Sequence, residues 1–148
     1  MFFIQRNITK QFLLELFNLA VSLNGDRIVL WRDININNNF SKKLWNDISV
    51  FDVKKQTLEA VTLYDDDDQL IKAVDSYKFS HKIASLLISR YETFTEIMES
   101  ISFYKKNHKK WFMSMIFHEN MTLLRLPHAE LKKLDERGIS YSKTPDNW

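Results

Sequence analysis

Two stretches of this chain are apolar at nearly every consecutive position: Ile28-Val29-Leu30-Trp31 and Trp111-Phe112-Met113-Ser114-Met115-Ile116-Phe117. They constrain the fold more than any other feature. A strand with one wet face alternates apolar and polar residues, whereas a strand covered on both faces does not. Both runs are therefore expected to be central strands. Neither approaches the length needed to cross a bilayer as a helix.

The elements around them follow from periodicity and punctuation. Phe2-Phe3-Ile4 is a short candidate strand, and Thr9 opens a helix with Phe12, Leu13, Leu16, Phe17, Ala20 and Leu23 on one face. Asn24-Gly25 supplies a left-handed stop before the first apolar run. Asn35, Asn37, Asn38 and Asn39 suggest a loop, after which Phe40, Leu44, Trp45 and Ile48 fit an amphipathic helix starting near Ser41. Thr57 to Tyr64 carry strand formers. The stretch from Leu70 to Tyr77 fits either a helix or the second strand of a hairpin, and the hairpin is favoured.

From Ser80 the spacing is helical again, with Ile83, Leu87, Phe94, Met98 and Ile101 close to one stripe. Thr93 could cap a second helix, so residues 80–103 are read as one helix or two. The second apolar run and Met121 to Leu126 are strands joined at His118-Glu119-Asn120. Pro127, Glu130, Lys132, Lys133, Arg137 and Gly138 then punctuate a helix from start to stop. Ile139 to Ser142 is a short final strand. No repeat or linker divides the chain, and the expected fold is a single α+β domain over residues 1–148, with a mixed or antiparallel sheet packed with helices.

Composition closes several functional classes. Cysteine is absent, which removes disulfides and thiolate metal sites and fits a reducing compartment. There are two glycines, Gly25 and Gly138, far apart, so a phosphate loop or dinucleotide fingerprint is lacking. The histidines His81, His108, His118 and His128 show no metal-binding spacing. Arg6 and Lys10 before Phe12-Leu13-Leu14 loosely imitate a secretory signal, but Glu15 and Asn18 interrupt it. A cytoplasmic protein with no cofactor, no membrane attachment and no enzymatic activity is expected.

Charge is unevenly placed although the net value is only +2. Asp65-Asp66-Asp67-Asp68 is read as a solvated turn, as an acidic patch for a basic partner, or as a metal site. Consecutive aspartates point alternately apart, and the glycine of a calcium loop is missing, which counts against the metal. Lys105-Lys106-Asn107-His108-Lys109-Lys110 sits where a helix is expected to hand over to a strand. Its lysines either keep that loop soluble or neutralise nucleic-acid phosphates beside Trp111. Tyr64, Tyr77 and Trp148 are candidate exposed anchors. His118-Glu119 is a possible acid-base pair without a nucleophile motif.

The carboxyl-terminal quarter, with Phe112 to Phe117, Leu123-Leu124-Arg125-Leu126-Pro127, Glu130 to Leu134 and Arg137-Gly138-Ile139-Ser140-Tyr141, resembles the ending of small α/β immunity proteins. Those proteins belong to bacterial polymorphic toxin systems, including contact-dependent growth inhibition. The resemblance implies a cytoplasmic inhibitor that binds a cognate toxin domain, such as a nuclease, and blocks its active site or substrate access. Asp65, Asp66, Asp67 and Asp68 would then mimic phosphates, with Tyr64 as a nearby anchor, and no direct nucleic-acid contact is expected. The alternative is a small nucleic-acid-associated regulator using Lys105 to Lys110.

Overall fold

In a computed structural model that describes residues 1–32, 38–59 and 70–144, the apolar runs are strands covered on both sides. The main sheet contains β1 (Phe2–Gln5), β2 (Gly25–Arg32), β5 (Tyr77–Lys78), β6 (Met98–Lys105), β7 (Trp111–Ile116) and β8 (Met121–Leu124). Their order is β1-β8-β7-β6-β2-β5, and every neighbouring pair is antiparallel. A separate antiparallel hairpin is made by β3 (Gln56–Glu59) and β4 (Leu70–Val74). With the helices α1 (Lys10–Ser22), α2 (Asn39–Ile48), α3 (His81–Ser89), α4 (Tyr91–Ile97) and α5 (His128–Glu136), this is a single-domain α+β fold.

The helices share one core with one face of the sheet. Phe12, Leu16 and Phe17 of α1 meet Ile28 and Leu30 of β2, Ile101 and Phe103 of β6, and Met113 and Met115 of β7. Leu44, Ile83, Leu87, Phe94, Leu131 and Leu134 bring the other helices to the same cluster. Edge-to-face contacts join Phe103 to Phe79 at 5.1 Å and Phe94 to Phe117 at 5.5 Å, arrangements that aromatic quadrupoles favour. A second, smaller core lies on the opposite face, where Val29, Tyr104, Trp111, Ile116, Met121 and Leu123 meet Leu58 and Val74 of the hairpin. Two covers explain two fully apolar strands.

Local chemistry sets the element ends. The Thr9 hydroxyl accepts from the Phe12 N–H and starts α1, as expected. Asn24, at φ 63°, takes the left-handed position, so the stop comes from asparagine and not from glycine. Gly25 has a different use. A Cβ there would lie 2.9 Å from the Ala20 carbonyl and 3.2 Å from Phe79, so glycine lets β2 start tight against α1. Asn38 caps α2, which starts at Asn39, near the Ser41 expected, and Phe40 is 72% exposed, outside the packed stripe. Gly138, at φ 66°, ends α5 as anticipated.

The largest correction concerns residues 98–105. Met98 and Ile101 continue the helical spacing of Phe94, yet the helix stops at Ile97 and β6 begins. Strand alternation was present in Ser100-Ile101-Ser102-Phe103, with Ile101 and Phe103 in the helix-side core. The serines face the other way, where Ser102 and Ser114 are register partners joined by a 2.9 Å hydroxyl contact. Residues 80–97 form two helices, and the break falls at Arg90 rather than Thr93. Arg90 is held there by Asp47 of α2 at 2.6 Å. The final strand shrinks to one bridge, Phe3 with Ser142. The hairpin favoured for residues 70–77 is present as β3–β4.

Gly25→Ala should destabilise the protein by about 1 to 3 kcal/mol, because the contact it creates is with helix backbone that cannot rotate away. Urea denaturation checks this, and unchanged stability would show that α1 can shift outward without loss.

Candidate partner-binding site

Among the described residues, Glu59 carries the polar contacts that fasten the β3–β4 hairpin to the sheet. Its N–H donates to the Lys109 carbonyl at 2.9 Å, and its own carbonyl accepts from the Tyr104 hydroxyl. Its carboxylate pairs with Arg125. Glu59 is 5% exposed, so the charge depends on that partner. The Arg125 guanidinium in turn lies 3.9 Å over the Trp111 ring, where cation and π-face attract. Leu58 and Val74 add apolar contact, and the Val53 N–H donates to the Ser76 carbonyl at 3.1 Å to close the hairpin's base.

This geometry bears on Tyr104. Its phenol is pushed well above the ordinary tyrosine range, first by burial and then by the Glu59 carboxylate. The neutral form is therefore the one the fold requires. A group raised in this way adds stability below its unfolded value near 10 and loses it as pH rises beyond that.

The chain between Glu59 and Leu70 joins the two strands and carries Tyr64, Asp65, Asp66, Asp67 and Asp68. Those proposed partner-binding residues lie outside the described residues, as does Trp148. Tyr77 is not an exposed anchor. It packs half-buried near Trp45, ring centroids 6.4 Å apart, and burial with Asp52 and Asp75 raises its phenol to about 12.

A second acidic feature was not singled out in the sequence. At the far end of β6, a cleft of about 490 Å³ is lined by Tyr91, Glu96, Glu99, His118 and Asn120, among others. Its wall is braced by Tyr91, whose hydroxyl donates to the Ile8 carbonyl at 2.6 Å, and by Asn120, whose side chain accepts from the Ile8 N–H at 3.2 Å. Glu96, Glu99 and His118 are exposed there. His118 and Glu119 approach to 3.4 Å because they share a turn, where the alternation of a strand does not apply. Glu96 and Glu99 went unnoticed because both were read within a helical pattern.

The lysine cluster sits in the β6–β7 turn, between two strands and not between helix and strand as expected. Lys105 is already engaged, pairing with Glu130 at 2.6 Å. Trp111 is core, as anticipated, at 2% exposure. Among the described residues, no group of three His, Asp or Glu side chains is placed to hold a metal, and no helix is long and apolar enough to cross a membrane. No family model, curated protein or solved structure matches the chain.

Arg125→Met should cost about 2 to 4 kcal/mol, since it strands a buried carboxylate. Glu59→Gln with Arg125→Met should cost less than the two singles added, with a coupling of about 1 to 3 kcal/mol. A double-mutant cycle by chemical denaturation measures this, and strict additivity would mean that the pair does not fasten the hairpin. Alkaline titration should show loss of stability starting near pH 10, with late-ionising tyrosines at 295 nm of which Tyr104→Phe removes one and leaves Tyr77, raised to about 12.

Proposed function

We propose that this protein is an immunity protein, which binds a cognate toxin domain and neutralises it by occluding its active site or substrate access. It acts as a binding protein and not as a catalyst. The observation that carries the reading is the fastening of the β3–β4 hairpin through Glu59 to Lys109, Tyr104 and Arg125. A connection emerging from a fixed base suits a recognition loop, because binding residues work best on loops held by a rigid scaffold. That connection carries Tyr64 and the four consecutive aspartates.

Four adjacent carboxylates repel one another, and a partner rich in arginine or lysine relieves that repulsion. Complementary charge of this kind speeds encounter and sets orientation more than it adds raw affinity. Toxins that cleave nucleic acid present basic clefts, which makes a nuclease domain a suitable partner. The exposed carboxylates Glu96 and Glu99 add acidic surface to the same molecule.

The test is to mix the purified protein with the toxin domain encoded beside it. A stable complex with loss of toxin activity is expected; no complex and no protection would end the proposal. Replacing Asp65, Asp66, Asp67 and Asp68 by lysine should slow association at least about tenfold at low salt and flatten or invert its salt dependence. Unchanged association rates would move the contact away from this run.

A further inference from the structure

The β6–β7 turn covers a charged residue that the sequence does not advertise. Arg27, on β2, has a side chain only 7% exposed, and it reaches the turn by donating from Nη2 to the His108 carbonyl at 3.2 Å. Its Nε lies 3.6 Å from the Asp26 carboxylate. That carboxylate is shared, because Lys78 pairs with it more closely. A guanidinium carries five N–H donors, and among the described residues Arg27 makes no other hydrogen bond or ion pair.

Arg27 also lines a cavity of about 360 Å³, together with Gln56, Thr57, Asn107, His108 and Lys109. Lys109, which lines the same cavity, makes no ion pair with any described residue. Glu59, two residues after Thr57, is committed to Arg125, and Glu130 is committed to Lys105 of β6. Among the described residues Asp26 is the one carboxylate paired with Arg27, and it is divided between Arg27 and Lys78. The remaining Arg27 N–H groups are not sealed in the core, and a nearly buried guanidinium with donors open to a cavity and a shared counter-ion suits an anion.

We propose that this cavity is a phosphate-binding site, with the Arg27 guanidinium and the Lys109 ammonium as its charged donors and Asn107, Gln56 and Thr57 as neutral ones. Phosphate suits it better than carboxylate. The local excess of positive charge matches a group bearing up to two negative charges, and the planar guanidinium fork fits phosphate oxygens. The site is independent of the toxin-binding reading, since it lies at the lysine turn and uses none of the aspartate run. The phosphate can belong to a small molecule or to a nucleic-acid strand, and the chemistry recognised is the same.

Thermal unfolding in inorganic phosphate, against chloride at equal ionic strength, tests the site. Wild-type protein should show a saturable rise in Tm with phosphate and none with chloride. Lys109→Ala removes only an exposed side chain and should weaken the apparent phosphate affinity about tenfold, the loss of one charge-assisted contact. Lys132→Ala, an exposed lysine on α5, should respond as wild type. Arg27→Lys keeps the buried charge but not the fork, and should weaken binding at least as much as Lys109→Ala. Absence of a phosphate-specific response, or a Lys109→Ala variant that responds like wild type, overturns the proposal. A mononucleotide and a short single-stranded oligonucleotide identify the source. Tighter, steeply salt-dependent oligonucleotide binding that Lys109→Ala weakens supports the site with a strand as ligand. Binding of the mononucleotide at equal or greater strength, weakened in the same way, supports it with a small phosphate ester.

Discussion

The structure depends on one constraint: β2 and β7 are apolar on both sides, so neither face of the sheet can be left wet. Helices solve half of this, with α1 laid across Ile28, Leu30, Ile101 and Phe103. The other half falls to the β3–β4 hairpin, which brings Leu58 and Val74 over Tyr104 and Trp111. The second face is narrower and more polar. Ser102 and Ser114 pair with each other at its centre, satisfying hydroxyls that would otherwise be stranded under the cover. Small residues there also let a cover approach closely.

A hairpin of this size is marginal in water by itself, so its docking contacts carry more than a decorative role. Glu59 supplies three of them through its N–H, its carbonyl and its carboxylate. The carboxylate is nearly dry and is matched by an arginine that is itself held against an indole ring. Such a pair adds little net stability compared with apolar packing, but losing either half is expensive. Its value lies in fixing one position for the hairpin rather than in strength.

Much of this arrangement was legible in the residues. Thr9, Ser80, Pro127 and Gly138 mark helix ends by chemistry that acts within a few residues, and each sits where that chemistry places it. Consecutive apolar positions found β2 and β7 because burial on both faces leaves an unambiguous trace. The failure at β6 has a physical cause. Met98 and Ile101 are spaced for a helix as well as for a core, and only the serine alternation that follows tells against the helix. Glu59 and Arg125 are 66 residues apart in sequence, and Arg27 and His108 are 81 apart, so no local pattern announces either contact.

Lys109 connects the two features that bear on binding. Its carbonyl accepts the hydrogen bond that docks Glu59, and the same residue lines the cavity beside Arg27. In sequence the aspartate run follows the strand that Glu59 ends, and Lys109 belongs to the lysine turn between β6 and β7. On a chain with a net charge of only +2, the four consecutive aspartates and the lysines of residues 105–110 are runs of like charge rather than alternating ones. Interspersed charge mainly confers solubility, whereas segregated charge creates local fields that select partners by sign. The small net charge therefore conceals two runs of opposite sign, and the hydrogen bond from Glu59 N–H to the Lys109 carbonyl ties the strand that precedes one to the turn that carries the other.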